Sequence, residues 1–242
     1  MMTPLSALDR VVRLHGNRPA IIDQEQNFTW AEHIYRISRI AGFLLKLGVG
    51  LGDRFGIICE NSFRYTELLH AGYWGGAIPV PINHRLAPPE IIHILEDAKC
   101  VHLALGKDFL SLLNAAEMAP WGDRCFYIGP GEESLQQPQY EKLLTTADAA
   151  AQHHANEDDL ALLLYTGGTT GRSKGVQLSQ RNIVANGMQM AIAMKADKTD
   201  IYLHAAPMFH AADLLCTAFT LTGAAHSYLP AFSPSKTLEF IQ

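Results

Sequence analysis

An α/β fold, with mostly parallel sheets and helices on both faces, is predicted by three features of this chain. Helical and strand patterns alternate along nearly all of its 242 residues. Helix boundaries carry recognisable start and stop residues. The apolar share, 48%, is high enough to bury a substantial core.

The elements follow in order. Thr29-Trp-Ala-Glu32 is a capping box opening a helix whose apolar positions are Ile34, Ile37, Ile40, Ala41, Leu44 and Leu45, and Gly48 closes it. A strand follows at 55–59, then Asn61-Ser62 caps a helix running through Leu68, Leu69 and Tyr73, and a strand covers 78–81. Pro88-Pro89 starts the next helix, which ends near Ala98 ahead of a strand at 101–105. A helix at 109–118 leads to a strand at 125–128. Residues 129–158, rich in Gln, Ala and His, are expected as surface loop or weak helix. A buried-strand pattern then runs into a glycine-rich turn and a short apolar run, Val176-Gln-Leu178. Helices at 182–194, 211–221 and 235–241 alternate with strands at 201–205 and 226–229, and no internal repeat is present.

Composition excludes several functions. The net charge is −5, charged residues make up 18%, and no basic cluster alternates with aromatics, so nucleic acid is not an expected partner. Cys59, Cys100, Cys125 and Cys216 are scattered without CxxC spacing, which points to buried thiols in a reducing compartment and away from zinc. Asp9, Arg10 and Arg13 near the start, and the lack of a long apolar run, argue against a signal peptide or spanning helix, so a cytoplasmic location is expected.

The strongest chemical signal is Tyr165-Thr-Gly-Gly-Thr-Thr-Gly-Arg-Ser-Lys-Gly175. Glycines at 167, 168, 171 and 175 are expected to bend the main chain through positive φ so that N–H groups converge on one anion. Thr169 and Thr170 add hydroxyls, and Lys174 adds a point charge. No Asp or Glu lies between Asp159 and Asp197, whereas Arg172, Lys174, Arg181 and Lys195 do, so the local field should favour an anion. A Walker A loop is excluded because Gly175 and an apolar run, not a helix, follow Lys174, and no G-x-G-x-x-G is present. A plain hairpin turn is the competing reading.

With these residues in place, the stretch from Leu162 to Val176 resembles the adenylate-forming superfamily signature Tyr-Thr-Ser-Gly-Thr-Thr-Gly-x-Pro-Lys-Gly-Val, with Gly167 standing for Ser and Ser173 for Pro. Gly52-Asp-Arg-Phe-Gly-Ile-Ile-Cys-Glu-Asn61, Gly72-Tyr-Trp-Gly-Gly-Ala-Ile-Pro-Val-Pro-Ile-Asn83, Glu90 to Asp97, and Ala206-Pro-Met-Phe-His210 are each similar to a block of that family, in the same order. The resemblance, most like fatty acyl-CoA synthetases, implies ATP-dependent activation of a carboxylic acid to an acyl-adenylate and then to acyl-CoA. It implies ATP, Mg²⁺ and coenzyme A as co-substrates and cofactor, a phosphate site at Thr166, Gly167, Gly168, Thr169, Thr170, Gly171 and Lys174, and a Mg²⁺ contact at Thr169. His210, Ala211 and Leu214 would line the acyl channel, a half-buried structural histidine being the competing reading at 210.

Residues 1–242 then correspond to a partial N-terminal, AMP-binding domain, with 159–242 carrying the phosphate loop and the start of the acyl pocket. The family's later blocks, its C-terminal domain and its catalytic lysine are expected beyond Gln242, so this stretch alone is expected to be inactive. An aryl-acid ligase, a peptide-synthetase adenylation domain and a non-catalytic nucleotide-binding or interaction module stay open, as does a homodimer. Other features read blandly: Trp30 and Trp74 as core, His153-His154 as solvated loop, Arg85 as a surface cation, and Asp213 as a favourable charge at a helix start.

Overall fold

The computed structural model describes residues 2–130, 137–167 and 172–241. In chain order its elements are α1 (Pro4–His15), β1 (Pro19–Ile22), β2 (Asn27–Thr29), α2 (Trp30–Lys46), β3 (Arg54–Ile58), α3 (Phe63–Gly75), β4 (Ile78–Pro81), α4 (Pro88–Asp97), β5 (Cys100–Gly106), β6 (Cys125–Ile128), α5 (Tyr140–Thr146), β7 (Leu160–Thr166), β8 (Lys174–Ser179), α6 (Gln180–Met194), β9 (Ile201–His204), α7 (Cys216–Thr222), β10 (Ala225–Tyr228) and α8 (Pro234–Ile241).

Two four-stranded sheets carry the fold, one in the order β2-β1-β10-β9 and the other β4-β3-β5-β6. The second is wholly parallel, and the first is parallel except for the β1–β2 pair. The main core holds side chains of both sheets together with α2 and α3, so that helix pair packs against both. The far face of the second sheet is covered by α4 and neighbouring segments, through Ile91, Ile94, Leu95 and Trp121. Helices therefore lie on both faces, as the alternating pattern predicts.

Several boundaries follow from local chemistry. Thr29 and Glu32 form the predicted capping box, and Pro88 and Glu90 start α4. The N-terminal α1, capped by Thr3 and Ser6, and the hairpin β1–β2 are elements that the sequence reading leaves unassigned. The expected helix at 109–118 is instead two 3-10 helices, Lys107–Asn114 and Ala116–Arg124, broken at the extended Ala115. Its apolar residues Phe109, Leu110, Leu112 and Leu113 repeat every three positions, which suits three residues per turn. The expected helix at 211–221 is likewise divided, into a 3-10 turn Ala211–Leu215 and α7.

The described part of 129–158 contains a short helix, α5, the second of the two forms expected there, whose Tyr140 is fully buried and donates its hydroxyl to Glu67. The chain then lies against α2 and α3: Ala150 N donates to Ser38 O, Trp74 Nε1 donates to Ala150 O, and His153 N donates to Trp74 O. Gly42 makes this approach possible, since a Cβ there would stand 1.9 Å from Asp148 O. Trp30 is core as expected, with its Nε1 donating to Gly223 O, whereas Trp74 is half-buried and holds the linker.

Helix α3 is buried nearly all round and carries polar residues that each need a partner. Arg64 meets Glu141 at 2.8 Å and Glu25 at 2.9 Å, and Glu67 accepts from Arg36 Nε at 2.6 Å. His70 Nδ1 lies 3.0 Å from His33 Nε2. Burial, aided by neighbouring imidazoles, pushes His70 down to about 3 and holds His33 and His226 well below 6.5. The unfolded chain takes up protons at these rings near pH 6.5 while the folded chain does not, so stability should fall as pH drops below 6.5. Each ring contributes up to about 1.4 kcal/mol per pH unit. Glu67, Glu60 and Asp23, raised by burial, work in the opposite sense as pH nears the carboxylate range, while His84 and His102, lowered by burial, act with the three rings. Urea melts from about pH 7.5 to about pH 5.5 should show the midpoint dropping below pH 6.5, and a flat profile would contradict neutral burial of the three rings.

Candidate active site

Strand β7 reads Leu-Ala-Leu-Leu-Leu-Tyr-Thr, and both of its faces are used. Leu162 and Leu164 pack with Tyr73 and Ile183, whereas Leu163 and Tyr165 pack with the cluster beneath α4. Its antiparallel partner β8 runs in register from Leu178 opposite Leu162 to Lys174 opposite Thr166, with a register shift before Leu160 meets Ser179. A strand, not a helix, therefore follows Lys174, which agrees with the exclusion of a Walker A loop. The stem is fixed at its tip by Tyr165, whose hydroxyl donates to Asp97 Oδ2 at 2.6 Å. Partial burial and this carboxylate hold the Tyr165 phenol well above its ordinary value.

The structure alters the roles expected of the tip glycines. Neither Gly167 nor Gly175 has positive φ. Gly175 serves close approach instead: it faces Tyr165 across the strands, and a Cβ there would lie 3.0 Å from Tyr165 Cζ. Gly168, Thr169, Thr170 and Gly171 lie outside the described residues. Thr166, Gly167 and Lys174 are exposed at the mouth of the hairpin.

The expected cationic field is also narrower. Arg181 is paired with Glu157 and Asp158, both at 3.2 Å, and Lys195 sits at the far end of α6. Arg172 and Ser173 line an open cavity of about 430 Å³ together with Glu90, His93 and Glu96 of α4. Carboxylates missing from the local sequence are thus supplied by another helix. No carboxylate among the described residues pairs with Lys174, which leaves its ammonium free for an anion.

The second predicted group lies on the segment between β9 and α7. Asn61, expected as a helix cap, does not cap α3, and Ser62 makes no side-chain cap bond either. Instead the Asn61 amide donates to His204 O at 2.9 Å, Ala206 O at 2.8 Å and Leu229 O at 3.2 Å, and its Oδ1 accepts from Met208 N at 2.9 Å. Phe209 sets its ring edge-on to His84 at 5.1 Å. His210 is exposed and its Nδ1 accepts from Ala212 N at 3.1 Å, so a neutral His210 ring carries its proton on Nε2, toward solvent. Ala211 is exposed beside it, whereas Leu214 is half-buried against Leu162 and Leu164. Leu214 therefore meets the back of the hairpin stem, and His210 and Ala211 stay on the open face.

Asp213 is not simply a charge at a helix start. It is buried, with its carboxylate 3.0 Å from His204 Nδ1; His204 Nε2 lies 3.0 Å from His226 Nδ1, and His226 Nε2 lies 3.1 Å from Thr220 Oγ1. With His204 donating to the carboxylate and His226 donating to His204, His226 Nε2 is left as an acceptor facing the Thr220 hydroxyl, which also donates to Cys216 O at 3.3 Å. His204, Asp213 and Cys216 also offer potential ligand atoms within 4.8 Å of one another, but the first two are already bonded together. Sequence reasoning misses Asn61 and the His204–His226 pair. Two signals could have found them: an asparagine at the carboxyl edge of a parallel strand, and histidines inside otherwise buried strands.

Replacing Asn61 by Leu leaves one amide and three carbonyls without their side-chain partner. A loss of about 3 kcal/mol is expected in urea unfolding.

A family model described as AMP-binding enzyme matches residues 8–242. The chain is 30% identical over 238 residues to a feruloyl-CoA synthase of Amycolatopsis sp, covering 96% of this chain and 45% of that protein. It is also 30% identical over 216 residues to FadD13, a long-chain-fatty-acid–CoA ligase of Mycobacterium tuberculosis, covering 88% of this chain and 42% of that protein. The chain thus spans less than half the length of these relatives. Among solved structures it is similar to ATP-bound MatB from Rhodopseudomonas palustris, with a TM-score of 0.83 and 27% identity over 98% of this chain and 47% of that one. The inhibitor-bound N-terminal domain of FACL13 from Mycobacterium tuberculosis gives a TM-score of 0.87 and 26% identity, over 100% of this chain and 60% of that one. No helix among the described residues is long and apolar enough to cross a membrane.

Proposed function

The chain belongs to the AMP-binding enzyme family, and from that premise we propose that it forms the ATP- and acid-binding part of an acid–CoA ligase. Residues 1–242 act as a partial N-terminal domain, with 159–242 holding the phosphate loop and the start of the acid pocket. The observation that carries this reading is Lys174, an exposed ammonium without a carboxylate partner among the described residues, held at the mouth of a stem that Tyr165 and Asp97 fix. A carboxylate is a poor acyl donor, so its oxygen attacks the α-phosphorus of ATP and pyrophosphate leaves, giving an acyl-adenylate that the CoA thiol then opens. Negative charge gathers on the departing phosphates. Thr166, Gly167 and Lys174 at the stem, with Gly168, Thr169, Thr170 and Gly171 between them, supply the N–H groups, hydroxyls and cation that take it up. Mg²⁺, which prefers hard oxygen ligands, would be held in part by the Thr169 hydroxyl and would neutralise phosphate charge.

The acid is proposed to lie along His210, Ala211 and Leu214, and a fatty acid is the first reading because Leu214 leads back into an apolar cluster. An aryl acid is the second, favoured by the likeness to a feruloyl-CoA synthase. The free thiols, three of them buried, fit a reducing compartment such as the cytoplasm.

Two measurements test the reading. On the polypeptide expressed from its complete reading frame, ATP–pyrophosphate exchange should appear with a fatty or aryl acid, and none with any acid of a broad panel removes the ligase. Lys174→Ala should weaken ATP binding by about 1.5–3 kcal/mol, the worth of a charged hydrogen bond, in a calorimetric titration. Unchanged ATP affinity would remove Lys174 from the phosphate site.

A further inference from the structure

Helix α3 turns one face, including Thr66, Leu69, His70 and Tyr73, toward a cavity of about 30 Å³ that it shares with α1, α6 and α7. The spacing of three, four and seven positions from Thr66 puts these side chains on one stripe. Leu8, Ile183 and Leu221 supply apolar wall, and Met208 and Leu214 close it from the segment between β9 and α7.

Two polar groups in this wall lack partners. His70 spends Nδ1 on His33, and its Nε2 has no hydrogen-bond partner among the described residues. The Tyr73 hydroxyl has none either. Both side chains are deeply buried, His70 being 9% and Tyr73 6% exposed, yet their polar tips stay within reach of a water-sized group. Two of the lining threonines have bonds of their own: Thr66 accepts from Tyr228, and Thr220 is bonded to His226. Both are free to bond whatever small group enters the cavity. The space admits about two water-sized groups, so only the tip of a longer molecule fits. Its partner must offer both a donor and an acceptor, since a phenol donates and an imidazole nitrogen takes either part. A hydroxyl on an apolar stem answers each of these requirements.

We propose that this cavity is a recognition pocket for the distal hydroxyl of an aliphatic acid, with His70 and Tyr73 binding the hydroxyl and Leu214 and Met208 guiding the methylene chain into it. The inference rests on the acid–CoA ligase reading, because Leu214 and Met208 belong to the segment that would bind the acid. It narrows that substrate class to hydroxy acids whose hydroxyl lies at the end remote from the carboxylate.

The test pairs acids of equal length that differ only in their tip: ω-hydroxyoctanoic, ω-hydroxydecanoic and ω-hydroxydodecanoic acids against nonanoic, undecanoic and tridecanoic acids. Binding is measured by calorimetry on the complete polypeptide, apart from any turnover. At the chain length that fits, the hydroxy acid should bind about tenfold tighter than its methyl counterpart, the worth of a net hydrogen bond. Tyr73→Phe, which removes only the hydroxyl, should erase most of that preference. His70→Gln should retain part of it through the amide. Equal affinity for both tips in the unaltered protein, a preference untouched by Tyr73→Phe, or a crystal structure with bound acid and only ordered waters in the cavity would each overturn the pocket. Tip selectivity without pyrophosphate exchange would leave the pocket standing and remove the ligase. Exchange with methyl-ended acids and no selectivity would do the reverse.

Discussion

The primary amide of Asn61 is the interaction on which the candidate site depends. It sits 6% exposed at the carboxyl end of β3, in one sheet, and bonds the carboxyl ends of β9 and β10, in the other. Through Ala206 O and Met208 N it also sets the path of the segment leading to His210 and Leu214. A single side chain thus fixes two parallel sheets and the start of the acid segment relative to one another. Asparagine suits this place because one planar group offers two donors and an acceptor that all point different ways. A carboxylate of the same shape would confront three carbonyl oxygens with no proton to give.

Around that point the interior is unusually polar for a core, and many of its polar groups are answered by distant ones. Arg64, Glu67 and His70 all lie on the same buried helix, and their partners come from β2's approach, α2 and α5. The Asp213–His204–His226–Thr220 chain does the same beneath β9 and β10. In a low-dielectric interior such chains are strong when complete and costly when broken, so they specify one packing of the helices against the sheets. The rigidity reaches the surface at the hairpin, where Tyr165 is clamped by Asp97 and covers Gly175. Lys174 and Thr166 lie opposite one another next to that clamp, on the two strands of the stem.

The division of labour between the two ends of β7 follows from the same packing. Its tip is exposed and cationic, and its inner face carries Leu162 and Leu164 into the cluster that Leu214 joins. A charged triphosphate at one end and an apolar acid toward the other is the arrangement such a strand can serve. The α4 carboxylates Glu90 and Glu96, near Arg172, temper the field on the side of the loop away from Lys174. Among the described residues Lys174 is thus the cation at the hairpin mouth without a carboxylate nearby, which is the basis of the anion site proposed above.

By itself the sequence determined the α/β class, the order of most strands and helices, and the position of the Gly/Thr-rich turn between two strands. These rest on periodicity, caps and turn residues, which act over a few positions. The two 3-10 helices in place of 109–118 were within reach of the same reasoning, since their apolar residues repeat every three. Only the tertiary structure decided which buried polar residues meet. Glu67 and Tyr140 are 73 positions apart, and Asn61 and Met208 are 147 apart. No local pattern marks such pairs, because the burial that makes a polar group demand a partner exists only once the chain is packed. The same holds for His70 and Tyr73: on the sequence they are two residues of a helix, and the closing of α1, α6 and α7 over them is what leaves their polar atoms facing a cavity.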